Sequence, residues 1–156
     1  MAEIQMDHAG VKTHPPILLL LSLMAAFLLN WLLPLPIALP DYFRVGGILI
    51  AAAGFASAFM AVRQFGVART TLDPHGSVGA LVTSGPYRFS RNPIYLGFIC
   101  VLVGLPLALG SYWGIILSPV LVLLMHNLVI QHEEAYLENK FKDQYTGYRS
   151  RVRRWL

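Results

Sequence analysis

The chain has 156 residues, 56% of them apolar and 13% Asp, Glu, Lys or Arg, with a formal net charge of +4. Soluble domains carry about 25% charged residues, so the composition excludes an ordinary soluble domain, a disordered chain and a disulfide scaffold. It leaves a small all-α integral membrane protein of one domain, residues 1–156.

A bilayer core of about 30 Å needs roughly 20 mainly apolar residues as helix. The first such run is 17–39, its end broken by Pro34, Pro36 and Pro40, so the regular part is 16–33. Glu3 and Asp7 precede it with only Lys12 against them, and no small-x-small cleavage site follows, so it reads as a retained span and not a signal peptide. The second run, 45–62, is dense in Gly, Ala and Ser, which suits close helix contact, within the chain or in a homodimer. The third and fourth, 93–109 and 113–130, are joined by Gly110, Ser111 and Tyr112 as a tight hairpin.

Four spans put both termini and the 63–92 loop on one side. That side then holds Lys12, Arg63, Arg69, Arg88, Arg91, Lys140, Lys142, Arg149, Arg151, Arg153 and Arg154, against Arg44 alone on the other. The asymmetry predicts that this side is cytoplasmic.

The loop is the one long irregular connection. Gly85-Pro86 marks a turn, and Pro93 suits the first position of a helix, where a missing N–H costs nothing. Arg88 and Arg91 then sit at the entrance of the third helix, as contacts for lipid phosphate or as a fork for a carboxylate. Tyr95 and Gly97 fall in its first turns, where Tyr95 equally suits an interfacial belt.

The fourth span carries His126 and Asn127 within its apolar run. Polar groups at that depth face a bundle interior or a cavity, or serve as glue between helices. At helical spacing His126 shares a face with Glu133, and Asn127, Gln131 and Glu134 share the next one. Beyond Glu134, the stripe Leu137, Phe141, Tyr145, Tyr148, Val152 and Trp155 predicts an amphipathic helical cap over 131–156, bent at Gly147 and supported by a Glu138–Lys142 pair. Such a cap suits a membrane surface or a lid over a site. His132-Glu133-Glu134-Ala135-Tyr136 lacks the second histidine of a zinc-protease helix, and the dispersed histidines predict no metal site. The aromatics do not interleave with the basic residues as a nucleic-acid platform requires.

Leu81-Val82-Thr83-Ser84-Gly85-Pro86-Tyr87-Arg88, then Ser90-Arg91-Asn92-Pro93-Ile94-Tyr95-Leu96-Gly97, then Glu133-Glu134 and Phe141, Tyr145, Tyr148, Val152 and Arg153, resemble the isoprenylcysteine carboxyl methyltransferase family. That group of integral membrane enzymes also embraces the phospholipid N-methyltransferases. The resemblance covers 70–155. It implies S-adenosylmethionine as methyl donor, bound between helix ends and a C-terminal cap, with Gly85, Pro86, Tyr87, Arg88, Arg91, Asn92, Tyr95, Gly97, Glu133 and Glu134 lining its pocket. Asn92 stands where many members have histidine, and asparagine donates and accepts without titrating near neutral pH.

Methyl transfer from a sulfonium is an in-line displacement favoured by a dry, positioning site. Arg91, Glu134 and His126 are the candidates for the reaction itself. A carboxylate acceptor needs no base, whereas an amine or hydroxyl needs one, with Glu134 or His126 the candidates. The acceptor is expected to be lipophilic and delivered by the bilayer. Two other classes fit the architecture: an NADPH-dependent reductase of the membrane sterol-reductase type, and a non-catalytic lipid-binding subunit.

Overall fold

A computed structural model describes residues 10–71 and 78–156. Among them the regular structure is entirely helical. Helix α1 (Pro15–Leu32) starts on paired prolines, which are preorganised for the first turn. It stops at Leu33, whose N–H reaches the Leu29 carbonyl at 2.7 Å, and the prolines beyond prevent its continuation. Helix α2 (Asp41–Val67) follows Pro40, with Asp41 in its first turn complementing the helix dipole. It runs 27 residues, well past the expected 45–62. A short 3₁₀ turn (Gly85–Arg88) leads to α3 (Pro93–Ala108), and the turn through Gly110 (φ +87°) reverses the chain into α4 (Trp113–Met125).

The α2–α3 seam explains the small residues of the second span. A Cβ on Gly104 would lie 2.5 Å from the Ala51 amide and 2.5 Å from the Gly47 carbonyl. One on Gly97 would lie 2.6 Å from the Gly54 carbonyl. Backbone meets backbone here, the arrangement that small residues permit in a membrane helix pair. The seam thus absorbs Gly47, Ala51 and Gly54 within the chain.

Three helical stretches, Pro15–Leu32, Asp41–Val67 and Trp113–Phe141, are long and apolar enough to cross a membrane. Four were expected. α3 is apolar but has 16 residues, about 24 Å at 1.5 Å per residue, short of a full bilayer core.

The helix of the fourth span continues beyond residue 130, as its polar extension implied. A π-helical turn (His126–Ile130) joins α4 to α5 (Gln131–Phe141), so one continuous helix leads from the apolar core into the site. The segment before α1 packs on this turn: the Lys12 N–H donates to the Leu128 carbonyl at 3.1 Å, and Val11 is buried with Leu121, Met125, Val129 and Ile130.

The cap breaks at Lys142, not at Gly147, which lies inside α6 (Asp143–Arg149). Lys142 adopts φ +43°, ψ −116°, a conformation that Cβ disfavours. Glu138 pairs with Arg149 at 3.1 Å and not with Lys142, because the chain turns at 142 and brings α6 back alongside. Lys142→Gly is expected to relieve backbone strain and raise stability by about 1 kcal/mol after the entropy of the added glycine. A thermal melt in detergent should show a rise of a few degrees, and a fall would show that the position carries no strain.

Candidate functional site

The entrance of α3, the α5 face and α6 enclose a cavity of about 890 Å³, counted to its open mouth. Phe65, Val82, Ile94 and Leu137 give it an apolar wall, with Tyr87, Tyr95, Tyr136, Tyr145 and Tyr148 among them. Its charged lining, among the described residues, is Arg91, Glu133 and Glu134.

The wall toward α2 is built by hydrogen bonds. Thr70 Oγ1 accepts the Gly79 N–H at 2.8 Å, and the Ser84 hydroxyl donates to Gln64 Oε1 at 2.9 Å. Gly85 (φ +58°) lies so close over Gln64 that a Cβ would meet its side chain at 2.8 Å. Gly85 and Pro86 therefore shape the turn that presents Tyr87. Tyr87 is buried edge-on to Phe65 at 5.8 Å, and its carbonyl accepts the Tyr148 hydroxyl at 2.7 Å. Burial, and secondarily the Glu133 carboxylate, push the Tyr87 phenol above its ordinary range and keep it neutral.

The roof is bolted to the floor through backbone groups. The Arg91 N–H donates to the Arg153 carbonyl at 2.9 Å. The Ser90 hydroxyl and Asn92 Nδ2 both reach the Arg154 carbonyl, at 3.2 and 3.1 Å. Asn92 lines the cavity but spends its amide donor on this clasp, a bond that asparagine makes without titrating.

The two adjacent glutamates have different surroundings. Glu134 accepts hydrogen bonds from Arg154 Nε at 3.1 Å and Arg154 Nη2 at 2.6 Å, and pairs as an ion with Arg91, whose Nη1 lies 3.1 Å from Oε1. Arg91 and Glu134 are 10% and 13% exposed, so this is a buried, charge-assisted network with two guanidinium groups on one carboxylate. Glu133 accepts the Tyr95 hydroxyl at 2.7 Å, and among the described residues no basic side chain pairs with it. Arg91 also donates to the Tyr145 hydroxyl at 3.3 Å, while its Nε is buried without a partner.

Of the residues singled out in the sequence, Tyr87, Arg91, Asn92, Tyr95, Glu133 and Glu134 come together on the cavity. Arg88 is exposed and lies outside the lining. Gly97 faces Gly54 and Ala58 of α2 and serves packing. His126 is outside the lining too, beside Arg154 and Gln131. Sequence reasoning missed Arg154 as a site residue. It lies 20 residues beyond Glu134 within a basic run that resembles a headgroup-facing tail, and no local pattern marks it. Tyr145 and Tyr148 were legible as an apolar stripe, and the seven-residue α6 turns that stripe inward.

A family model described as phospholipid methyltransferase matches residues 42–144. A protein-S-isoprenylcysteine O-methyltransferase of Schizosaccharomyces pombe is 36% identical over 72 residues, which are 46% of this chain and 30% of that one. An uncharacterized protein of Haemophilus influenzae is 36% identical over 63 residues, 40% of this chain and 100% of its own length. The chain thus spans under a third of the length of the Schizosaccharomyces protein. No solved structure matches the chain. The family match runs from the start of α2 to the start of α6 and takes in the α3 entrance and both glutamates. The chain belongs to the phospholipid methyltransferase family, to which its resemblance to the isoprenylcysteine carboxyl methyltransferases had pointed.

Proposed function

We propose that this protein transfers a methyl group from S-adenosylmethionine to a lipophilic acceptor at the cytoplasmic face of a membrane. The observation that carries this reading is a pair of complementary groups whose bonding is incomplete within the described residues. Glu133 is a carboxylate without a described cation, and Arg91 Nε is a buried donor without an acceptor. Together they complement an amino acid's ammonium and carboxylate, the zwitterion at one end of S-adenosylmethionine. The apolar and aromatic wall of Phe65, Val82, Tyr87 and Leu137 suits a purine.

When bound, S-adenosylmethionine supplies a methyl group on a cationic sulfur. Glu133 holds positive charge, Arg91 holds the carboxylate, and Glu134 orients Arg91. The clasp of 153–154 on 90–92 ties down the roof on that side, and charge contacts sheltered from water are the stronger for it. Glu134 already accepts two N–H bonds from Arg154 and pairs with Arg91, and is poorly placed to take a proton. This favours an acceptor that is already anionic, the carboxylate of an isoprenoid-like amphiphile, over a lipid amine that must first be deprotonated. NADPH fits less well, because its phosphates call for several cations and Arg91 is the one basic residue among the described lining.

The topology proposed with this site has α3 as the third of four crossings and both termini in the cytoplasm. The charge asymmetry of the flanking segments supports it, as do the direct bonds between the 90–92 segment and the 153–154 tail. Isothermal calorimetry in nanodiscs should show binding of S-adenosylmethionine and S-adenosylhomocysteine and none of NADPH. Folded protein that ignores both sulfur ligands would reject the reading.

A further inference from the structure

An α-helix returns to one face after seven residues, which would stack His126 over Glu133. The π-helical turn at His126–Ile130 carries i to i+5 bonding and adds one residue to the turn. The phase beyond it shifts by one position, so eight residues now make the interval, and His126 comes into register with Glu134. The side chains follow this register. Gln131, five residues on, brings its Nε2 to 2.8 Å from His126 Nε2. Arg154, which holds Glu134 with Nε and Nη2, brings Nη1 to 3.4 Å from His126 Nδ1.

These contacts define the ring's role. A guanidinium donates and never accepts. For Nδ1 to accept from Arg154 it is the bare nitrogen, with the ring proton on Nε2. The Gln131 amide turns its Nε2 to the ring here, and a flip that exchanges its nitrogen and oxygen lets it accept that proton. His126 is outside the cavity lining, with Arg154 between it and Glu134.

We infer that His126 is a positioning residue: the π-helical turn sets it behind Arg154, it fixes the orientation of that guanidinium, and Arg154 in turn fixes Glu134 and the tail. The backbone N–H of Lys12 on the Leu128 carbonyl braces the same turn, so the segment before α1 supports the site from outside. The inference rests on the methyl-donor reading only for its binding measurement.

The test uses two substitutions and two readouts. His126→Leu removes the acceptor, whereas His126→Asn returns an acceptor oxygen near the place of Nδ1. Tail docking is read by the emission of Trp155, which packs against the core beside Arg154, with Trp31 and Trp113 replaced by phenylalanine. His126→Leu is expected to shift Trp155 emission to longer wavelength and to weaken S-adenosylhomocysteine binding about tenfold, the loss typical of a hydrogen bond to a charged group. His126→Asn is expected to restore both. Unchanged Trp155 emission in His126→Leu overturns the inference. So does failure of His126→Asn to restore the emission, which would mark the ring as mere packing. If the unsubstituted protein binds no sulfur ligand yet His126→Leu still releases the tail and His126→Asn redocks it, the methyl-donor reading falls and the positioning role stands.

Discussion

Glu133→Gln is expected to lower the affinity for S-adenosylmethionine about 100-fold while leaving the ligand-free protein as stable as before or slightly more so. The two effects have one origin. A carboxylate removed from water without a cation is costly, and Glu133 has the Tyr95 hydroxyl as its described partner. Glutamine keeps an oxygen to accept that hydroxyl and carries no charge to bury, so the empty site gains. The bound state loses a buried charge pair, and losses of that kind run to about 2–5 kcal/mol. Calorimetry with the sulfur ligand, beside a thermal melt without it, reads both. Full affinity in Glu133→Gln would remove Glu133 as the seat of positive charge. A collapse of stability would make its role structural. Glu134 behaves oppositely on the same grounds: Glu134→Ala strands Arg91 and Arg154 together, and removal of one partner from a buried ion network costs about 3–5 kcal/mol. Its ligand binding is thus hard to separate from its folding.

The largest expected effect on folding lies in the α2–α3 seam. Gly104→Val places carbon where the Ala51 amide and the Gly47 carbonyl already sit, both 2.5 Å from an ideal Cβ. Rigid backbone cannot give way as a flexible side chain can, so the helices must separate. Overpacking of this kind costs about 3 kcal/mol or more. Gly46→Val, one position from the seam on α2 with nothing within 4 Å of its Cβ, is the matched control and should be near neutral. Reversible unfolding in mixed micelles compares them, and equal stabilities would show that the seam is looser than its geometry.

The parts of this architecture that repeat locally were readable from the chain. Apolar length marked α1, α2 and α4, proline placed the start of α3, and the Leu137-to-Trp155 stripe marked a folded cap. Charge type and helix-end position marked Arg91, Glu133 and Glu134. What stayed hidden depends on contacts between distant residues. The shift in phase at His126 alters helix register without any residue that announces it. Lys142 breaks the cap through a backbone conformation for which lysine has no preference, while the glycine nearby, Gly147, continues as helix. Arg154 could not be told from its basic neighbours, because what distinguishes it is a carboxylate on another helix. Arg88 misled in the opposite direction, since its place in a motif gave no sign that its turn points outward.

The clasp has a consequence for biosynthesis. Ser90 and Asn92 wait for the Arg154 carbonyl, 64 and 62 residues further along the chain. A ribosome delivers the floor of the chamber well before its ceiling, and every apolar helix is available to the translocon by then. A nascent chain can thus be threaded into the bilayer while the chamber still stands open, and only emergence of the tail completes it.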